Sequence, residues 1–232
     1  MITVVMPTWN GLRFLPEQLD SILRELPENG VLRIRDDGST DGTTSYVRDR
    51  AADDDRIHLL PSTGRIGVIR SVERLLEGLD SGTIFLADQD DVWLPGKVAS
   101  CMVALETADL VVHDARRVDA EGVDLGGTLF GTRGCGGGIF RNLWKNQFTG
   151  CCMALRAEIL PKVLPFPMQV PMHDQWLGLV ALRRGRVSWL REELLAYRVH
   201  RGNATGTGGQ RPSASAMRRI LWRFQALQAL GR

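Results

Sequence analysis

Short apolar runs alternate with helix-period segments through the first half of this chain, and that alternation restricts its fold more than any other feature. Residues 2–6, 31–35, 57–60, 83–87 and 110–113 read as strands. Between them Leu15, Leu19, Ile22, Leu23 and Leu26 recur at helical spacing, with Pro16 suited to a first turn. Val68, Val72, Leu75, Leu76 and Leu79 repeat the pattern, and Pro95 opens a third helix reaching about Glu106. Strands alternating with helices predict an α/β domain whose mostly parallel sheet is covered by helices. In such sheets ligands bind beyond the carboxyl ends of the strands, where strand order reverses.

The second half is less regular. Residues 122–138 are glycine-rich and read as loop, 156–164 and 174–184 as helices, 187–190 and 194–199 as strands. Residues 201–210 are glycine-rich again, a linker to a final helix over 215–230. That helix puts Ile220, Leu221, Phe224, Leu227 and Leu230 on one face and Arg218, Arg219 and Arg223 toward the other. The expected division is therefore a domain over 1–203 and a linker with basic amphipathic helix over 204–232. From 201 to 232 there are six arginines and no acid, so a whole-chain charge of +2 leaves the first 200 residues at −4. A basic helix on a mildly acidic body fits either peripheral contact with an anionic membrane or packing on a second copy in a homodimer. Nucleic acid is not the expected partner, because the positive charge forms no broad groove. No apolar stretch is long enough to span a bilayer, and residues 2–6 begin a strand rather than a secretion signal. Four cysteines without zinc-like spacing read as reduced thiols, so the expected location is cytoplasmic.

Three sets of acids fall where strands should finish or a helix begin: Asp36-Asp37, Asp88-Gln-Asp-Asp91, and Asp174 after His173. Desolvating one carboxylate costs several kcal/mol, and neighbouring carboxylates repel. A divalent cation resolves that repulsion, and hard oxygen ligands select Mg²⁺ or Mn²⁺. Turn chemistry alone also produces Asp-Gly-Ser, and Asp41 can serve merely as a helix cap.

Several blocks carry a resemblance: Val4-Val-Met-Pro-Thr-Trp-Asn10, Asp36-Asp-Gly-Ser-Thr-Asp-Gly-Thr43 and Phe85-Leu-Ala-Asp-Gln-Asp-Asp-Val-Trp93. Three more follow: Asn146-Gln-Phe-Thr-Gly150, His173-Asp-Gln-Trp-Leu177 and Tyr197-Arg-Val-His-Arg-Gly-Asn203. Together they resemble family 2 inverting glycosyltransferases of the GT-A fold, most closely the bacterial rhamnosyltransferase-like branch. The resemblance implies a nucleotide-diphosphate sugar donor (dTDP-rhamnose or a UDP-sugar) and a saccharide or lipid-linked acceptor in bacterial surface polysaccharide synthesis. It implies work in the cytoplasm or on the inner face of the cell membrane. By position, Pro7 and Thr8 line the nucleotide pocket, Asp36 or Asp37 bonds the nucleobase, and Arg65 contacts nucleotide or phosphate. Asp90 ligates Mg²⁺ or Mn²⁺ with Asp88 near the ribose, Asp91 touches donor or acceptor, and Asp174 is the base. His200 reaches the metal or diphosphate. Trp93 and His173 are candidate acceptor contacts, although His173 also suits a structural hydrogen-bonding role. A nucleotidyltransferase would show a glycine-rich basic loop where this chain has Pro7-Thr-Trp-Asn-Gly11. A non-catalytic binding module would not need Asp174.

Overall fold

The computed structural model describes residues 1–168, 170–200, 222, 223, 225–228 and 230. The first half runs β1 (Ile2–Thr8), α1 (Leu15–Glu25), β2 (Val31–Asp36), α2 (Thr43–Asp53), β3 (Ile57–Leu59), α3 (Val68–Leu76), β4 (Thr83–Leu86), β5 (Val92–Trp93) and α4 (Lys97–Leu105). The second runs β6 (Leu110–Val118), β7 (Asp124–Thr128), α5 (Leu129–Arg133), α6 (Ile139–Trp144), β8 (Met153–Arg156), α7 (Leu160–Val163), α8 (His173–Arg184) and β9 (Val187–Arg198).

Among the described residues these strands form one sheet in the order β3-β2-β1-β4-β8-β6-β9-β5, with β7 on β6. The β3-β2-β1-β4 part is parallel, and β8 enters antiparallel between β4 and β6. Val4, Val5 and Met6 are wholly buried because helices cover both faces of the sheet. α1 turns Leu15, Leu19 and Ile22 inward and α3 turns Val72, Leu75 and Leu76 inward, as their spacing predicts. Strand order reverses at β1, which has β2 on one side and β4 on the other. Register sets Thr8 beside Asp36 and Val5 beside Leu86, so the loops after all three strands open at one edge. Because β8 runs the opposite way, the 3₁₀ turn Gly150–Cys152 that leads into it meets that same edge. β9 pairs antiparallel with β5, Val92 opposite Ala196, which carries Tyr197 and His200 to the segment after β4.

Several elements differ from expectation. α2 has only Thr43 and Val47 buried, so it leaves almost no apolar period to read. The 122–138 region expected as loop contains β7 and α5, α6 follows it where no element was expected, and the two late strands are one continuous β9. α8 is buried continuously from His173 to Ala181. A Cβ on Gly178 would overlap the Phe148 ring, so helix and ring meet only because that side chain is absent. Gly178→Ala is expected to lower stability by about 1–3 kcal/mol through overpacking, despite alanine's better helix propensity. A denaturant midpoint equal to or above wild type would show that Phe148 moves aside freely.

The described tail residues are helical, and Trp222, Ala226 and Leu230 bury one stripe against the domain. Leu227, expected on the same face as Leu230, is 41% exposed instead. Ile220, Leu221, Phe224, the 201–210 linker and the 203/204 boundary lie outside the described residues. No helix among those described is long and apolar enough to cross a membrane.

Candidate functional site

A cavity of about 520 Å³ opens at the strand-end edge, within the range of small-ligand sites. Pro7 and Thr8 at the end of β1, Asp37, Arg65, Asp88, Asp90, His173, Asp174 and His200 all line it. The sequence placed each of these among its candidates.

The two acids after β2 are neighbours in the chain but turn to different partners. Asp36 lies beneath the cavity, accepting hydrogen bonds from the Thr8, Ser39 and Thr44 hydroxyls and from the Gly38 and Ser39 amides. Burial pushes its carboxyl up, and those donors outweigh burial to hold it below the usual range. Asp37 accepts from the Arg35 guanidinium at 2.8 Å and from the Ile66 and Gly67 amides at 2.7 and 2.8 Å. Its carboxyl is likewise held low, burial being outweighed by Ile66, Arg35 and Gly67. Of the pair, only Asp37 lines the cavity, and Asp36 organises the turn below it.

Asp37 thereby pins the loop that carries Arg65. The Arg65 guanidinium lies 3.7 Å from the centroid of the Trp9 ring, making a flat cationic platform at the cavity rim. Gln89 ties Trp9 to the loop after β4, its side chain bonding both the Trp9 amide and carbonyl. The sequence showed Trp9, but its pairing with Arg65, distant in the chain, had no local signal.

The acidic loop after β4 divides by side. Asp90 faces the cavity and meets His200, with Oδ2 2.8 Å from Nε2. Asp88 also faces the cavity. Its carboxyl is pushed up to about 6 by burial and by the charges of Asp90 and Asp174, opposed by His173. Asp91 corrects its expected place as a donor or acceptor contact: it is fully buried and off the cavity wall. Its Oδ1 accepts from the Arg198 amide at 3.0 Å, and Oδ2 has no hydrogen-bond partner among the described residues. Burial and the charges of Asp90 and Asp88 push this carboxyl well up. Trp93 is corrected in the same way. It is 3% exposed, packed against Phe85 with the buried Lys97 amine over its ring, and reaches no cavity surface. The chain turns at Gln89–Asp90 with Asp88, Gln89 and Asp90 all on the cavity wall, and the extended run that follows points Asp91 and Trp93 inward together.

Arg198 clamps this loop from behind. Its guanidinium donates to the carbonyls of Asp90 and Ala120 and to Glu17, and stacks on Phe14. Lys97, below, donates to the Cys151 carbonyl at 2.8 Å. Candidate ligand atoms of Asp88, Asp91 and Cys151 lie within 4.8 Å of one another. The cavity-facing carboxylates of Asp88 and Asp90, with the His200 imidazole on Asp90, are donors of the kind that fits a hard divalent cation, and the orphaned Oδ2 of Asp91 lies behind that wall.

Asp174 occupies the first turn of α8 and is 3% exposed. Its Oδ1 accepts from the Gln175 amide at 2.6 Å and from Asn146 Nδ2 at 3.1 Å. Burial pushes the carboxyl up to about 6, against those two hydrogen bonds and the charge of Arg133. That value is close to the working range of a general base. Arg133 is held by the Thr149 hydroxyl at 3.0 Å and sits by the Tyr197 ring. It lay hidden in the glycine-rich stretch, with nothing in its surroundings to single it out. His173 lines the cavity beside Asp174, and burial lowers its imidazole against the opposing charge of Asp88.

Residues 3–164 match the family described as Glycosyl transferase family 2. The undecaprenyl-phosphate mannosyltransferase of Micrococcus luteus is 32% identical over 118 residues, 50% of this chain and 48% of that protein. The dTDP-rhamnosyl transferase RfbG of Shigella flexneri is 25% identical over 218 residues, covering 87% and 73%. Among solved structures, the mannosyltransferase PcManGT from Pyrobaculum calidifontis in complex with GDP-Man and Mn²⁺ superposes with a TM-score of 0.66 at 22% identity. It covers 99% of this chain and 62% of that one. S. aureus TarS 1-349 in complex with UDP-GlcNAc gives 0.67 at 17% identity, covering 85% and 58%. The chain thus spans about half of the first relative and about three-fifths of the two solved chains. The structural likenesses establish the GT-A α/β fold, and the match over 3–164 establishes that the chain belongs to glycosyl transferase family 2.

Proposed function

We propose that the chain transfers a sugar from a nucleoside-diphosphate donor to an acceptor hydroxyl, with inversion at the anomeric carbon, in the synthesis of a bacterial surface polysaccharide. The observation that carries this reading is one cavity shared by a buried carboxyl raised to about 6, Asp174, and by Asp88, Asp90 and His200. A binding module has no use for such a base. Pro7, Thr8 and Asp37, with the Trp9–Arg65 platform, provide the donor's nucleotide end. Asp90 and His200 would hold Mg²⁺ or Mn²⁺, with Asp88 beside them, and the ion would supply positive charge against the departing diphosphate.

The remaining chemistry belongs to the chain. Asp174 takes the proton of the acceptor hydroxyl, whose oxygen bonds to the anomeric carbon as the bond to the diphosphate breaks. Asp174 acts here as base and not as nucleophile, and Cys151 is wholly buried. Single displacement inverts the centre. His173, next to the base, is the proposed acceptor contact. Relatives named for mannosyl and dTDP-rhamnosyl transfer support a hexose donor, and one named for undecaprenyl phosphate supports a lipid-linked acceptor at the inner membrane face.

A thermal-shift panel with dTDP, UDP and GDP, each with and without Mn²⁺, tests the site. A nucleotide at about 100 times its dissociation constant adds roughly 2.7 kcal/mol of stability. Stabilisation by one diphosphate, dependent on Mn²⁺ and abolished in Asp90→Ala, is the expected outcome. If no nucleotide moves the midpoint, the donor site has been misread.

A further inference from the structure

α6 buries Asn142 and Leu143 and turns two aromatic rings to solvent. Phe140 is 81% exposed and Trp144 77% exposed. Four residues apart, they share one helical face. A soluble surface rarely carries such a pair without a partner. From Leu125 to Ala157 the chain holds four cations and no acid, and from 201 onward six arginines and no acid. The fold joins these two acid-free segments: the Arg223 guanidinium lies 4.2 Å over the Trp144 ring and donates to the Leu143 and Trp144 carbonyls. Arg141 and Lys145 on α6 are exposed beside the rings. Projecting aromatics rimmed by cations match an anionic bilayer surface. There Trp and Phe enter the headgroup boundary while arginine and lysine meet lipid phosphates.

We infer that the α6 face, Phe140 and Trp144 with Arg141, Lys145 and Arg223, docks the protein on an anionic lipid bilayer. The docking stands whether or not the proposed transfer does. Its consequence rests on that transfer: Asn146, two residues beyond α6, holds Asp174, so docking here sets the base near the surface where a lipid-linked acceptor lies.

Flotation of the full chain with vesicles of phosphatidylcholine, or of phosphatidylcholine mixed with phosphatidylglycerol, is the test. The wild type is expected to float with the anionic vesicles alone, and less as salt rises. Phe140→Ser/Trp144→Ser is expected to lose about tenfold or more in vesicle affinity, with the melting midpoint lowered by no more than a few degrees, because both rings are exposed and only the Arg223 stacking is lost. Arg141→Glu/Lys145→Glu is expected to abolish the preference for anionic lipid. The inference is overturned if the wild type floats with neither vesicle, or if the aromatic variant floats as the wild type does. It is equally overturned if the wild type binds no vesicle but self-associates through Phe140 and Trp144, which would make the face a contact between copies. Loss of transfer with vesicle binding intact would count against the proposed function and leave the docking standing.

Discussion

Asp174→Asn is expected to lower kcat by about 10²–10⁴ and, in the same protein, to raise the melting temperature. Both effects come from one burial. A carboxyl raised from 3.8 to about 6 burdens the folded state by on the order of 3 kcal/mol at neutral pH, an upper figure once water penetration is allowed. Because the folded value lies above the unfolded one, the charged group is most costly above pH 6. The burden shrinks as pH falls from about 6 toward 4 and is gone below that. Asparagine keeps an oxygen for the Gln175 amide and Asn146 while removing the charge. Its stability advantage should therefore be present at pH 7 and absent near pH 4. Wild-type kcat/KM should fall about tenfold for each pH step below 6 as the base is protonated, and the residual activity of the variant should lack that limb. Calorimetry and a pH–rate profile read the two halves separately. A variant that keeps wild-type activity would place the base elsewhere, and one that melts lower would show that the carboxylate is a structural anchor.

The features legible in the sequence were those set by local physics. The strands β1, β2 and β4 are short apolar runs, and those of β2 and β4 end in carboxylates that cannot be buried unpaired, which located the cavity edge. α1 and α3 declared themselves through one-sided burial. Elements lacking such a pattern were not legible. α2 presents a nearly polar surface, and α6, only six residues long, buries Asn142 and Leu143 while pointing its aromatics outward. Within the acidic loop, alternation puts Asp91 and Trp93 on one side, but the turn at Gln89–Asp90 that sets Asp90 apart from them had no periodic signal. The Trp9–Arg65 platform and the Arg198 clamp depend on contacts between distant segments. No window of sequence contains them.

Asp37→Ala is expected to destabilise the fold by about 3–5 kcal/mol, a large part of the roughly 5–15 kcal/mol by which a domain is stable. The sequence offered Asp37 as a nucleobase contact, and the structure adds a mechanical role. The Arg35–Asp37 pair is 2.8 Å apart with both side chains almost wholly buried, so removing the carboxylate strands a buried guanidinium with only Ser71 and the Gly64 carbonyl. The Ile66 and Gly67 amides lose their acceptor at the same time. Gly67 sits at φ 84°, a left-handed conformation that those bonds help to hold. Since the folded carboxyl lies below its ordinary 3.8, its contribution is complete above that pH and is lost as pH falls through the lower folded value. The gap between wild type and variant should therefore narrow in acid. Asp37→Asn separates the two roles. If the carboxylate chiefly pins the loop, urea midpoint and nucleotide affinity fall together, because Arg65 loses its position over Trp9. If the carboxylate serves only to read the nucleobase, affinity falls and the midpoint stays, and the assignment of Asp37 as the anchor of that loop is lost.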